Sequence, residues 1–174
     1  MGNILLLSGE PRVGKTTALK KIIEMIGKDN CIGFYTEEIC DELDRIGFDC
    51  VSLDGTRIRI ADINLNSDTK IGRYGIDIVA FENFIMQIIS NSFSSNKIIV
   101  IDEIGPMQLL STKFKEQLNN ILNGSNYVIG TIFYKEHPDI DEIKRIPGIK
   151  IYALTKDNRN GVLEKIFHEI KGLI

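Results

Sequence analysis

The stretch Gly9-Glu10-Pro11-Arg12-Val13-Gly14-Lys15-Thr16 decides the fold predicted for this chain of 174 residues. It matches the pattern G-x-x-x-x-G-K-S/T and lies between an apolar run, Asn3–Ser8, and an amphipathic run, Thr16–Ile26. The spacing of apolar residues predicts a buried strand for the first run and a helix for the second. A strand, a glycine-rich loop and a helix in this order form a phosphate-binding loop, because successive backbone N–H groups converge on phosphate oxygens.

The residues of this loop are each suited to holding the phosphates of a nucleotide. The helix that opens at Thr16 adds unpaired N–H donors and the positive end of its dipole. Lys15 supplies an ammonium group for the β- and γ-phosphates, and the Thr16 hydroxyl is a ligand for Mg²⁺. Thr17 either supports the start of the helix or faces the α-phosphate. We therefore expect the loop and Thr17 to bind a nucleotide together with Mg²⁺.

A second apolar run ends in two carboxylates. Ile98-Ile99-Val100-Ile101-Asp102-Glu103 begins with four β-branched residues, which predicts a buried strand. Asp102 is predicted to hold Mg²⁺, largely through a water, at the C-terminal edge of the sheet. Side chains alternate along a strand, so Glu103 points elsewhere and can act on the attacking water as a base or an orienting group.

Two further segments are expected near the phosphates. Ile104-Gly105-Pro106-Met107 continues the acidic strand into a tight loop, although an ordinary turn explains this composition equally well. Thr131, at the end of the predicted strand Tyr127–Phe133, is a third catalytic candidate beside Lys15 and Glu103. Its hydroxyl could contact the water or the γ-phosphate, or could simply end the strand.

The rest of the chain alternates short apolar runs with amphipathic ones, which predicts a parallel sheet covered by helices. The insertion at about residues 46–75 breaks this rhythm: Gly47–Leu53 and Thr56–Ile63 form a predicted antiparallel hairpin with a type I′ turn at Asp54-Gly55. Asn64–Gly75 is predicted as a loop that could reach the active face.

The other predicted strands are Ile32–Glu38, Lys97–Asp102 and Ile149–Leu154, and the other helices are Val79–Phe93, Ser111–Asn123, Ile140–Arg145 and Arg159–Lys171. We therefore predict one three-layer α/β P-loop domain over residues 1–174, with a mostly parallel sheet and an antiparallel hairpin insertion.

Composition narrows the class of protein. Hydrophobic residues make up 43% and charged residues 26% of the chain, which argues against disorder. A net charge of -3 argues against a nucleic-acid partner, and the run Ile4-Leu5-Leu6-Leu7 is too short to cross a membrane. Cys31, Cys40 and Cys50 form no C-x-x-C pair, so reduced thiols are expected. We expect a cytoplasmic monomer that does not bind membranes.

Four segments besides the phosphate loop carry a family resemblance. They are Gly33-Phe34-Tyr35-Thr36-Glu37-Glu38, Arg45-Ile46-Gly47-Phe48-Asp49, Asp102-Glu103-Ile104-Gly105-Pro106-Met107 and Asn158-Arg159-Asn160. With these segments the chain resembles the cancer-related nucleoside-triphosphatase family, small THEP-type P-loop proteins of archaea, bacteria and animals. The resemblance implies a RecA-like sheet and slow hydrolysis of nucleoside triphosphates (ATP, GTP, CTP, UTP and TTP) with loose base choice.

Some positions depart from the family pattern or leave alternatives open. The family usually has Gly where Arg12 stands, so an unusual backbone angle there would be costly for arginine; we expect the side chain to lie in solvent. Asn158 and Arg159 follow the last strand and either contact the base or cap the final helix. A positive finger that stabilises the transferred phosphoryl could come from Arg45, Arg57, Arg73 or Lys135.

The motifs favour Mg²⁺-dependent hydrolysis of nucleoside triphosphates. A nucleotide or metabolite kinase shares the phosphate loop but transfers phosphate to an acceptor, and a nucleotide-dependent switch or adaptor would bind without needing fast turnover. No arginine pair follows Tyr127–Phe133 to form a kinase lid. Glu103 beside Asp102 favours hydrolysis over sensing alone.

Overall fold

The phosphate-binding loop leaves the end of an interior strand of one large mixed sheet. The computed structural model describes residues 3–92 and 96–172, so the end of the helix predicted at Phe93 lies outside the described residues. In chain order, the elements are β1 Ile4–Ser8, α1 Lys15–Ile26, β2 Cys31–Asp41, β3 Asp44–Ser52, β4 Arg57–Asp62, β5 Lys70–Ile71, β6 Tyr74–Ile76, α2 Ile78–Ser92, β7 Ile98–Ile104, α3 Thr112–Leu122, β8 Val128–Ile132, α4 Pro138–Lys144, β9 Ile149–Ala153 and α5 Arg159–Lys171.

The sheet has a parallel and an antiparallel half. Its strand order is β5-β6-β4-β3-β2-β7-β8-β1-β9. From β2 to β9 the neighbouring strands are parallel, and from β2 to β5 they are antiparallel. The C-terminal ends of β1, β2, β7 and β8 therefore meet at one edge, where parallel α/β sheets bind ligands.

Apolar side chains fill a layer on each face of the sheet. One cluster packs β7 and β8 against α2 and α3, with Phe34 in edge contact with Phe81, Phe84 and Phe114. The other packs β1 and β7 against α1 and α5. The predicted three-layer α/β fold is confirmed. No helix within the described residues combines the length and apolarity that a membrane crossing requires.

The insertion is larger than the predicted hairpin. The strand predicted to end at Glu38 continues to Asp41 and pairs with β3 along its outer part. The segment Asn64–Gly75, predicted as a loop, contains β5 and enters β6, which extend the sheet beyond β4. β5 and β6 have only two and three residues, which is too short for an alternating pattern to mark them in the sequence.

The turn between β3 and β4 also differs from the prediction. The Ser52 N–H donates to the Thr56 carbonyl at 2.9 Å, so three residues rather than two form the loop. Gly55 has a φ of 98°, whereas Asp54 is not in the left-handed region that a type I′ turn requires. The Asp54 carboxylate instead accepts the Thr56 N–H at 3.0 Å, which stabilises the longer turn.

Candidate active site

The start of α1 is open to an anion. Gly14 stands at its N-cap with a left-handed φ of 98°, and no side chain caps the helix. The first turn contains no acidic residue, so its unpaired N–H groups and the positive end of the helix dipole are not neutralised. On α3, by contrast, the Ser111 hydroxyl caps the helix by accepting the Phe114 N–H at 3.0 Å. The open end of α1 suits a phosphate.

Lys15 is held across the loop that it belongs to. Its Nζ donates to the carbonyl oxygens of Gly9 at 2.8 Å and of Glu10 at 3.1 Å. These two bonds keep the ammonium group beside the cavity instead of in bulk solvent. A phosphate bound at the start of α1 therefore meets a positioned positive charge.

Asp102 lies at the centre of a hydrogen-bond network at the end of β7. Its side chain is buried, and Oδ2 accepts from the Thr16 hydroxyl at 2.7 Å and the Thr36 N–H at 3.3 Å. Oδ1 accepts from the Thr131 hydroxyl. Burial raises the pKa of Asp102, and the hydrogen bonds from Thr131 and Thr16 oppose that shift. The hydroxyl and carboxylate oxygens of Thr16 and Asp102 are adjacent hard donors, which fits Mg²⁺ held by few protein ligands.

The network gives Thr131 a third role beside the two that the sequence left open, and it adds a residue that the sequence did not single out. Thr131 is fully buried, donates to Asp102 and is not among the residues that line the cavity. Thr36 was quoted only as part of a family segment. Its hydroxyl donates to the Asp102 carbonyl at 2.5 Å, and its N–H contacts the carboxylate.

Glu103 faces the cavity beside Lys15. Burial raises its pKa from 4.5 to about 7; the charge of Asp102 adds to the shift and that of Lys15 opposes it. Gly105 makes room for this carboxylate, because a Cβ at that position would lie 2.6 Å from Glu103 Oε1. A carboxylate with a pKa near neutrality is suited to accepting a proton.

These groups line one cavity of about 550 Å³. It is formed by the phosphate loop, the outer parts of β2 and β3, and the segments that follow β7 and β8. Among the predicted site residues, it is lined by Pro11, Arg12, Gly14, Lys15, Thr16, Thr17, Asp102, Glu103 and Met107. Arg45, a candidate for the positive finger, lines it too, as do residues that the sequence did not single out for the site: Thr36, Glu37, Glu38, Phe48, Gln108, Phe133 and Tyr134.

Other predicted nucleotide-binding residues are buried in the sheet. Val100 and Ile101 point into the two apolar clusters on opposite faces, and Ile104 joins the cluster of Ile101. Their side chains support the strand and do not line the cavity. Neither Gly105 nor Pro106 lines it, but both lie in the turn that follows Glu103. Val100 and Ile101 alternate between the two faces within the strand, whereas Asp102 and Glu103 near its end both line the cavity.

Asn158 and Arg159 lie on the other side of the phosphate loop. The Asn158 amide accepts the Thr155 N–H and donates to the Ala153 carbonyl, both at 2.8 Å, so it closes the turn before α5 and does not cap the helix. Arg159 Nη2 donates to the Val13 carbonyl at 2.8 Å, and its guanidinium packs against Gly14. Arg159 Nε is buried without a hydrogen-bond partner. The base-contacting role predicted for both residues stays a prediction.

Comparison with known proteins agrees with this geometry. A sequence model of a family described as NTPase matches residues 4–167. This chain belongs to that NTPase family. It is 35% identical to the nucleoside-triphosphatase THEP1 of Thermotoga sp. (strain RQ2), over 96% of this chain and 95% of the relative.

Two solved structures of the family share the fold. The crystal structure of THEP1 from Aquifex aeolicus superposes with a TM-score of 0.83 at 37% identity, over 94% of this chain and 95% of that one. The solution structure of a human cancer-related nucleoside triphosphatase has a TM-score of 0.83 at 32% identity, over 97% of each chain. The phosphate loop, the acidic strand end and the antiparallel half described above thus belong to an NTPase-family fold.

Arg12 adopts the backbone angle that the family's usual glycine would adopt freely. Its φ is 62°, in the left-handed region. The side chain is 63% exposed, and its Nε lies 3.6 Å from Glu38 Oε2. The side chain thus reaches mainly into solvent and is loosely paired with one carboxylate.

Arg12→Gly is expected to leave the fold intact and to change triphosphate affinity by no more than about tenfold, or roughly 1.4 kcal/mol. Glycine adopts the observed angle without strain, and the exposed side chain has no other partner than Glu38 among the described residues. Equilibrium titration with a non-hydrolysable triphosphate measures the change. A loss of affinity far beyond tenfold would show that Arg12 contacts the phosphates directly.

Glu103→Gln is expected to stabilise the ligand-free protein above neutral pH. The folded protein binds the Glu103 proton more tightly than the unfolded chain, because its pKa rises from 4.5 to about 7. Ionisation thus costs stability progressively between these values, on the order of 3 kcal/mol in full. The Tm of the variant should exceed that of the wild type by several degrees at about pH 8 and converge with it near pH 4.5. A difference that does not vary with pH would contradict this cause.

Of the four cationic candidates for a positive finger, Arg45 alone lines the cavity. Arg57 pairs with Glu37 and Asp49, and Arg73 pairs with Asp44. Lys135 is exposed, with its Nζ 5.6 Å from the Tyr134 ring centroid. The expectation that residues of the insertion loop reach the site is therefore not met by Arg57 or Arg73.

Proposed function

We propose that this chain hydrolyses nucleoside triphosphates between the β- and γ-phosphates, with Mg²⁺, to give a nucleoside diphosphate and phosphate. The main observation in support of this proposal is that three groups lie together at one cavity. These are the open α1 start with Lys15, the Thr16–Asp102 oxygen pair, and the Glu103 carboxylate. Phosphate binding, metal binding and activation of water are the three requirements of this reaction.

Each of these groups has a separate role in the proposed reaction. The N–H groups at the start of α1 and Lys15 bind the phosphates and stabilise charge that develops on them. Thr16 and Asp102 would hold Mg²⁺, which supplies neutralisation of phosphate charge when bound. Glu103 accepts a proton from water as the water oxygen bonds to the γ-phosphorus. The bond from that phosphorus to the bridging oxygen breaks, and the diphosphate leaves with the electron pair.

Loose base choice fits the surroundings of the phosphate loop. The cavity of Glu103 lies on the side of β2 and β7, away from the β9–α5 turn where Asn158 and Arg159 stand. The Asn158 amide is already bound to backbone groups of that turn. We propose ATP, GTP, CTP, UTP and TTP as substrates, because the family resemblance implies loose base choice.

The relatives support hydrolysis as the reaction. Those reported above carry the name nucleoside-triphosphatase, and their similarity to this chain extends over nearly its whole length. The residues that line the cavity include a positioned carboxylate beside Asp102, which a protein that only senses nucleotide does not need.

The test is release of free phosphate from each of the five triphosphates, with Mg²⁺ and with a chelator. We expect release from all five in Mg²⁺, with rates of similar order, and a strong loss in the chelator. A parallel assay for phosphorylated acceptors, with nucleosides, nucleoside monophosphates and sugars added, separates hydrolysis from transfer. Absence of free phosphate in every Mg²⁺ sample would contradict the proposal.

A further inference from the structure

A β-bulge turns Arg45 toward the active-site cavity. Where β2 pairs with β3, Ile39 faces Gly47 but the next residue, Cys40, faces Arg45, so Ile46 is an extra residue in β3. Residues that face each other in an antiparallel pair point to the same side of the sheet. The bulge therefore gives Arg45 the side that Ile46 would occupy in a regular ladder. Bulges commonly redirect a side chain in this way.

The neighbours of Arg45 on that side hold it at the cavity wall. Glu38 faces Phe48 across the same two strands, two residues from the Cys40 position. The Arg45 guanidinium lies 4.9 Å from the Phe48 ring centroid and donates from Nε to the Tyr74 hydroxyl at 3.1 Å. Stacking and a hydrogen bond on one edge leave the other edge of the guanidinium to face Glu38 and the cavity.

Glu38 joins Arg45 to the phosphate loop. Its Oε1 accepts from Arg45 Nη1 at 2.7 Å, and its Oε2 lies 3.6 Å from Nε of Arg12, a residue of the loop itself. One carboxylate thus separates Arg45 from the loop. Arginine binds phosphate with two parallel hydrogen bonds, so a phosphate in the cavity can compete with Glu38 for the same donors.

We propose that Arg45 exchanges Glu38 for the γ-phosphate of the bound triphosphate and stabilises the charge that develops on it during transfer. The inference rests on the proposed function. Arg45 is then a positive finger supplied by the same chain. Glu38 is the anion that pairs with Arg45 when the γ-phosphate is absent. A positive group that contacts the transferred phosphoryl raises turnover more than it raises ground-state binding.

The charges around the site fit this exchange. Glu37 and Glu38 line the same cavity as Asp102 and Glu103. A γ-phosphate that enters this cavity past Lys15 is therefore surrounded mainly by carboxylates, unless another cation lies nearby. Glu37 is already paired with Lys20 and Arg57. Glu38 is paired with the exposed Arg12 and with Arg45, so it is the carboxylate from which a phosphate can take over Arg45.

The experiment compares Arg45→Met with Glu38→Gln. Methionine keeps an apolar stem against Phe48, and we expect kcat to fall by roughly 10²–10³-fold while diphosphate affinity changes less than about threefold. Glu38→Gln frees both arginines, so triphosphate should bind several-fold more tightly. A second readout uses nucleoside diphosphate with Mg²⁺ and aluminium fluoride, a mimic of the transferred phosphoryl. Arg45→Met should weaken that complex by a factor similar to its loss of kcat.

Arg59→Ala is the matched control, because Arg59 lies on neighbouring β4 and pairs with Asp49 and Asp62 outside the cavity. It should leave kcat and the aluminium fluoride complex unchanged. If wild-type protein releases phosphate and Arg45→Met releases it equally fast with an unweakened complex, the role of Arg45 is wrong. If the wild type releases no phosphate, the proposed function fails, and the aluminium fluoride complex of the two proteins still decides whether Arg45 contacts the phosphoryl position.

Discussion

Lys15→Ala is expected to lower turnover by roughly 10³-fold and to weaken triphosphate binding. The change removes the cation that the loop itself holds beside the cavity, through bonds to the Gly9 and Glu10 carbonyls. The loss lies at the upper end of what one preorganised donor contributes, because Lys15 acts on bound phosphate and on developing charge alike. Phosphate release under excess triphosphate and equilibrium nucleotide titration measure the two effects.

Lys21→Ala is the control for Lys15→Ala. Lys21 lies on the exposed face of the same helix, so its loss alters the net charge equally without touching the loop. We expect it to retain wild-type binding and turnover. Wild-type turnover by Lys15→Ala would show that the loop is not the active site.

Glu103→Gln is expected to lower turnover by roughly 10²–10⁴-fold, the usual contribution of a positioned acid–base group. Glutamine keeps the shape of the side chain in the space that Gly105 leaves open, but it cannot accept a proton from water. Affinities for Mg²⁺ and triphosphate should stay within about tenfold, because Lys15 and the Thr16–Asp102 pair are unchanged. Glu116→Gln, on the exposed side of α3, controls for loss of a carboxylate.

Asp102→Asn should behave differently from Glu103→Gln. Asp102 accepts hydrogen bonds from Thr16, Thr36 and Thr131, so the change disturbs the whole network as well as the charge available to Mg²⁺. Mg²⁺ dependence and nucleotide binding should then fall together with turnover. If Asp102→Asn impairs Mg²⁺ and nucleotide binding while Glu103→Gln impairs mainly turnover, the separate roles assigned to the two carboxylates are supported.

The sequence predicted those parts of the site that lie in contiguous motifs. The phosphate loop is read directly from Gly9 to Thr16 because the strand and helix around it fix its backbone. Asp102 and Glu103 follow from an apolar strand that ends in acids. In the structure the two motifs meet through the Thr16–Asp102 hydrogen bond, although 86 residues separate them.

What the sequence could not predict depends on register between distant strands. Thr36 reaches Asp102 only because β2 lies beside β7 in the sheet, and no local pattern marks that pairing. Thr131 was left open between contact with the water or γ-phosphate and a strand-end role, and in the structure its hydroxyl donates to Asp102. Arg45 was one of four candidates, of which Arg57 and Arg73 were expected to reach the site, and the bulge at Ile46 determines which side of the sheet Arg45 takes. In each case the contacts of a residue depend on the face of the sheet to which its side chain points, and one inserted residue reverses that face.

Single-turnover phosphate release from preloaded protein tests the central claim most directly. Wild type and Glu103→Gln are each loaded with γ-labelled triphosphate in the absence of Mg²⁺ and separated from excess nucleotide. The reaction is then started by adding Mg²⁺. We predict equal loading of the two proteins and release from Glu103→Gln that is roughly 10²–10⁴-fold slower. Equal loading with equal rates would contradict the account, since the cavity would then activate water without Glu103.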